Sequence, residues 1–180
     1  MTPADIIDFW NDKVGEARWF NSDAALDAEV AARFGEAYRA ARDGKLTAWT
    51  ETAEGSLALL LLLDQFPRNM FRGRAEAFAT DALARRIARQ AIARGLDLHI
   101  SPPLRAFFYL PLTHSEDGSD QAQAVALIGE RLGKETEQYR FALLHREAIG
   151  KFGRFPGRNA ALGRTTTADE QAYLASDPGF

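Results

Sequence analysis

The run LALLLLLDQFPRNMFRG, residues 57–73, begins with seven consecutive apolar positions and ends in a cluster of acid, amide and arginines. A helix that is apolar on every side has no face to give to water, so it has to lie at the centre of a packed core. The apolar stretch falls far short of the roughly 20 residues that a membrane span requires. It is therefore a core segment, and the spacing predicts a central helix from about Thr47 to Asp64. Asp64 would then stand at the C-terminal end of a buried helix, where the macrodipole disfavours a carboxylate unless a cation meets it. Arg68 and Arg72 are near enough in sequence to supply that cation.

Working outward, the periodicity is helical nearly everywhere. Thr2, Pro3 and Asp5 open a first helix with Ile6, Ile7, Phe9 and Trp10, and Ser22 or Asp23 caps a second that runs through Leu26, Val30, Phe34 and Tyr38 to Gly44. Further helices are predicted at about 80–93, from Pro102 to near Pro111, at 118–133 and at 134–151. A last one, capped by Thr167 with Glu170, ends near Ser176. No segment alternates like a strand. The expectation is one all-α domain over residues 1–180, about eight helices in antiparallel hairpins, and the pattern does not choose between a bundle and a solenoid.

Composition excludes several functions. There are no cysteines, so thiolate chemistry and cysteine-based metal sites are absent, which suits a reducing cytoplasm. The net charge of −3 argues against a nucleic-acid module, and neither a membrane nor a cofactor is implied. Lys151, Arg154, Arg158 and Arg164 nevertheless lie in one acid-free stretch, so the rest of the chain is more acidic than the total suggests. Such a stretch points to an anionic partner inside or outside the fold. No heptad seam or apolar stripe indicates an oligomer.

Three polar constellations carry the candidate chemistry. Asp64 with Arg68, Asn69 and Arg72 is either a satisfied turn-fixing pair or an acid tied by one guanidinium while another faces a ligand. The segment THSED, residues 113–117, sets His114 beside Ser115 and Glu116, which suits general acid/base work, although Ser and Asp here equally suit capping of the next helix. In FGRFPGRNAALGR, residues 152–164, Gly153, Gly157 and Gly163 permit tight backbone, and Arg154, Arg158, Asn159 and Arg164 offer forks and amides for a carboxylate or phosphate. His145 shares an apolar stripe with Phe141, Leu144, Ala148 and Phe152 and reads as a core histidine bonded to one partner. No HExxH or comparable ligand spacing occurs, and no metal is assigned.

LLLLLDQFPRNMFRG, FFYLPLTHSEDGSDQ, FGRFPGRNAALGRTTTADEQAYL and RWF at 18–20 together resemble the family catalogued as domain of unknown function 924, in order and over nearly the whole chain. The resemblance implies a tetratricopeptide-like superhelical array and no established reaction. It matches Asp64, Gln65, Arg68, Asn69 and Arg72, then His114, Ser115 and Glu116, then Arg154, Pro156, Arg158, Asn159 and Arg164. Gly157 stands where family members usually carry histidine, which weighs against chemistry more than against binding.

Three functions fit these residues. The first is a module that holds a small anion or peptide carboxylate in the concave face of the array through Arg68, Asn69, Arg72, His114, Glu116, Arg154, Arg158, Asn159 and Arg164. A hydrolase would use His114 with Glu116 or Asp64 and the arginines as charge stabilisers. In the third, the motifs form an internal salt-bridge network and need no ligand.

Overall fold

A computed structural model describes residues 1–21 and 23–176, and among them there is no strand. The all-α expectation holds. Contacts group the chain into two compact units, Met1–Arg72 with Glu76–Pro111, and Gly73–Ala75 with the chain from Leu112 onward.

In the first unit, Thr2 and Asp5 close a reciprocal cap on α1 (Pro3–Asp8), which passes into a π-helical turn at Phe9–Val14. The Asp23 carboxylate accepts from the amides of Ala25 and Leu26 and starts α2 (Ala24–Arg42), while Ser22, the alternative cap, lies outside the described residues. Leu26, Val30, Phe34 and Tyr38 are buried, as their spacing requires. The Phe34 ring lies 4.8 Å from Phe9 and 4.9 Å from Phe66, and Trp10 lies 5.3 Å from Phe66. These rings tie α1 and α2 to the central helix. Of the RWF segment, Trp19 is buried and donates to the Trp10 carbonyl at 2.8 Å.

The central helix departs from expectation at both ends. Thr47–Glu51 forms a separate 3₁₀ turn, because Thr52 is extended and caps the next turn through its hydroxyl on the Gly55 amide; α3 therefore starts at Ala53 (Ala53–Leu60). At the other end, the chain does not stop at Asp64. A π-helical turn, Leu61–Gln65, leads directly into α4 (Phe66–Met70), with Pro67 inside the run. Proline lacks the N–H that would bond to the carbonyl four residues back, which is Leu63. The Thr80 hydroxyl donates to that carbonyl at 2.6 Å instead, so the helix continues past a residue that normally ends one. Asp64 is thus mid-run and not at a C-terminal dipole end. After α4 come α5 (Asp81–Ala93) and α6 (Pro102–Arg105).

Through α7 (Leu110–Thr113) the chain enters the second unit. There α8 (Gly118–Arg131) packs on α9 (Glu137–Phe152), and α10 (Ala168–Ser176) follows the arginine-rich segment. The predicted Thr167–Glu170 capping box is present, with the Thr167 amide donating to Glu170 at 2.8 Å and the Glu170 amide to Thr167 at 3.2 Å. Gly153 ends α9 in the left-handed region at φ 68°, where other residues are strained. Gly157 does not need glycine's freedom. It lies in the 3₁₀ turn Pro156–Arg158 with a φ outside the left-handed region.

Gly55 is the packing point where the central helix meets the turn before it. A Cβ there would lie 2.2 Å from the Trp49 carbonyl oxygen and 2.8 Å from the Thr52 hydroxyl. Gly→Ala inside a helix ordinarily stabilises, but here the clash dominates. Gly55→Ala is expected to destabilise by about 1–3 kcal/mol, seen as a lower urea midpoint in tryptophan fluorescence.

Candidate functional site

The motif residues fall into two hydrogen-bonded groups, one in each unit. In the first unit Arg68 sits beside the buried Asp64: its Nη1 donates to the Asp64 carbonyl at 2.6 Å and lies 3.3 Å from the Asp64 carboxylate. The same guanidinium forks onto Asp81 at 2.9 and 3.0 Å, in the first turn of α5 where a carboxylate is favoured by the helix dipole. Arg72 does not meet Asp64. It forks onto Asp27 of α2 at 2.7 and 2.9 Å, and Asn69 donates to the same carboxylate at 2.8 Å while accepting from Gln65 at 3.0 Å. This group cross-links the central helix to α2 and α5.

The second group gathers His114, Glu116, Arg154, Arg158, Asn159 and Arg164 in the C-terminal unit. Glu116 accepts both arms of the Arg164 fork at 2.8 Å and the Phe155 amide at 2.9 Å. Arg154 forks onto Glu170 at 2.6 and 2.9 Å and donates to the Thr165 carbonyl at 2.8 Å. Asn159 donates to Glu170 at 3.2 Å and to the Thr166 hydroxyl at 3.3 Å. Bidentate geometry is what guanidinium and carboxylate planes favour. Arg158 is buried, stacks its guanidinium 4.6 Å from the Phe155 ring centre, and donates to the His114 carbonyl at 2.8 Å.

The loop that carries His114 is held at three consecutive carbonyls. Gln121, in the first turns of α8, donates to Thr113 at 2.6 Å and to Ser115 at 2.7 Å, and Arg158 takes the carbonyl between them. Three consecutive carbonyls are thereby immobilised, and the half-buried His114 imidazole lies 6.1 Å from the ring of His145. His145 is buried, with Nδ1 2.8 Å from the Phe141 carbonyl; since a carbonyl only accepts, that nitrogen carries the proton. Asp117 is the cap of α8, accepting from the amides of Ser119 and Asp120, while the Ser115 hydroxyl accepts from the Asp117 amide in the turn before the helix. Among the described residues, no three His, Asp or Glu side chains are placed to hold a metal ion, and no helix is long and apolar enough to cross a membrane.

Two buried amide oxygens stand out in this unit. Neither Oε1 of Gln121 nor Oδ1 of Asn159 accepts a hydrogen bond from the described residues, although Gln121 is 0% and Asn159 1% exposed. A buried acceptor left without a donor costs about 1–3 kcal/mol. Sequence reading missed Gln121. Its signals were its place as the last residue of the quoted motif FFYLPLTHSEDGSDQ and its polar character on the face of α8 that also buries Ala124, Val125 and Ile128.

The electrostatics fix the charge states of the two acids. Glu170 is lowered from its ordinary 4.5 to about 2 by the Arg154 fork first and the Thr167 amide second, against burial. Burial works to raise Glu116, but the Arg164 fork and the Phe155 amide outweigh it and hold the carboxyl below its ordinary range. A depressed carboxyl contributes stability that is complete above the unfolded value of about 4.3 and is lost as pH falls through the folded value. The stability gap between the native chain and Glu170→Gln is therefore expected to be full above about pH 5 and to close toward pH 2. The environment of Tyr173 on α10, followed by NMR, measures it.

Comparisons with known proteins match this geometry to a family. The family described as "Bacterial protein of unknown function (DUF924)" matches residues 6–178. A solved structure, that of the protein of unknown function ATU0120 from Agrobacterium tumefaciens, is similar at 49% identity over 97% of this chain and 97% of that chain, with a TM-score of 0.91. No curated protein matches.

Proposed function

This chain belongs to the DUF924 family of bacterial proteins, and on that premise we propose that it is a binding module for a small anion or carboxylate-bearing ligand, met in the C-terminal unit by His114 and Arg158. The observation that carries the reading is the clamp on the His114 loop, in which three consecutive carbonyls are engaged by Gln121 and Arg158. Buried carbonyls need partners in any fold, but a loop held in advance in this way also suits a ligand site. Affinity is lost when contact groups have to be ordered on binding. The Arg158 guanidinium bonds the backbone carbonyl of His114, and imidazole and guanidinium are both groups that suit negative charge. The arginine forks on Glu116 and Glu170 form the frame of this site, and the arginines of the first unit brace the central helix. The ligand is thus proposed for the C-terminal unit.

The hydrolase reading is less well supported. Both oxygens of Glu116 are engaged by Arg164, which leaves it a charge to be balanced more than a group to orient His114. The purely structural reading has a specific observation in its favour: Arg68, Arg72, Arg154 and Arg164 each fork onto a carboxylate of the same fold.

Thermal melting with acetate, sulfate and phosphate separates the readings. Under the binding reading His114→Ala melts near the native temperature but loses the ligand-induced rise. That rise, at a hundredfold excess over Kd, is about 2.7 kcal/mol, or on the order of 5–10 °C for a chain of this size. Arg164→Ala melts early with or without anions. If no anion shifts the native protein and His114→Ala melts as early as Arg164→Ala, the network is structural and the binding reading fails.

A further inference from the structure

We infer that α10 is a strap that opens and recloses by itself while the rest of the C-terminal unit stays folded, with the Arg154–Glu170 fork as its catch. The inference goes beyond the binding reading and does not rest on it.

Its basis is how little of α10 is anchored, and by what. Along Ala168–Ser176 the one fully buried side chain is an acid, Glu170; Tyr173 and Leu174 are half-buried and the rest are exposed. The preceding helix, α9, buries Ala142, His145, Ala148 and Ile149. Isolated helices shorter than about 12–15 residues are marginal in water, so α10 is helical only while it is docked. Among the described residues, its docking rests on one carboxylate and two half-buried side chains.

The anchors converge on one guanidinium and one ledge. The Glu170 carboxylate accepts both arms of Arg154, at 2.6 and 2.9 Å, and the Asn159 amide at 3.2 Å. Arg154 Nη2 also donates to the Thr165 carbonyl at 2.8 Å, so the same side chain holds the helix and the segment that leads to it. The Tyr173 ring lies 5.1 Å from that of Phe152 and packs against Ala148, Ile149 and Phe155. Residues 164–167 form neither helix nor turn, and at their start Arg164 is pinned by its own fork onto Glu116. A pinned residue, an irregular connection and a short helix held by few side chains together make a hinge, a linker and a strap.

Sub-global opening is drawn from segments that bury few apolar groups. Lifting α10 breaks the bonds from Arg154 and Asn159 to Glu170 and unseats Tyr173. It breaks none of the bonds by which Gln121 and Arg158 hold the His114 loop, or by which Arg164 holds Glu116. The opening therefore has a natural boundary at Arg164. Opening releases the Arg154 fork and the Asn159 donor to solvent, and closing takes them back.

Hydrogen exchange of the native protein, read amide by amide by NMR at a series of low urea concentrations, tests this. The amides of α10 are expected to exchange on the order of a hundredfold faster than those of α9, and without dependence on urea, because a local opening exposes little surface. Glu170→Gln keeps the size of the side chain and removes its charge. It is expected to speed exchange in α10 by a further factor of about ten while α9 is unchanged, since charge-assisted bonds are the strong ones. Should that variant fail to fold, Arg154→Lys, which keeps the charge and loses the fork, takes its place with the same expectation. If α10 and α9 share one rate and one urea dependence, α10 opens only with the whole unit and the inference is overturned. Local opening of α10 at the native rate in the variant would show that the fork is not the catch, and equal acceleration of α9 would show that the fork holds the whole unit; either result overturns it as well.

Discussion

Four arginines from the motifs each grip a carboxylate with two nitrogens, and every partner lies well away in sequence: 13 residues for Arg68 and Asp81, 45 for Arg72 and Asp27, 16 for Arg154 and Glu170, 48 for Arg164 and Glu116. A single exposed ion pair adds little, since solvent screens it and side-chain ordering opposes it. These are different in setting, because the carboxylates are half-buried or buried and most accept further bonds from backbone or amide groups. A half-buried carboxylate loses hydration on folding, so its fork has to be made or the acid remains poorly solvated. That requirement fixes where α2, α5, the His114 loop and α10 attach within their units.

The same forks change the meaning of the basic stretch from Lys151 to Arg164. As a sequence it is surplus positive charge in search of an anion. In the folded unit Arg154 and Arg164 are matched by Glu170 and Glu116, and what the segment then does is hold the loop around His114. Catalysis by Glu116 becomes the weaker option for the same reason, because an acid kept ionised by a guanidinium and an amide has little tendency to exchange protons near neutrality. In this unit the amide oxygens of Gln121 and Asn159 accept no hydrogen bond from the described residues, although both amides donate to the protein.

Continuity of the central helix depends on a single substitution of partners. Pro67 should end the run, and it would if the Leu63 carbonyl were left bare in a buried setting. Thr80 fills the place of the missing amide, and the π-helical turn at Leu61–Gln65 shifts the register so that Asp64, Arg68 and Asn69 follow one another on a continuing helical backbone. Gly55 allows the other end of the same helix to pass close to the Trp49 carbonyl. The helix is thus set by its surroundings at both ends and by its own leucines only in the middle.

Local information was enough for much that depends on near neighbours, although not for the Thr52 cap that moves the start of the central helix. The helical period, the caps at Thr2, Asp23 and Thr167, the apolar run Leu57–Leu63, and the capping role of Asp117 could all be read along the chain, because each arises from residues within a few positions of one another. The family motifs also named most of the polar centre, including His114, Arg158 and Asn159. What the chain order did not contain was pairing across long separations: which acid each arginine grips, that Thr80 replaces the amide lacking at Pro67, that Gln121 clamps the His114 loop, and which end of each amide faces inward. Those are decided by which groups are buried together and must satisfy one another there, and only the tertiary structure brings them into reach.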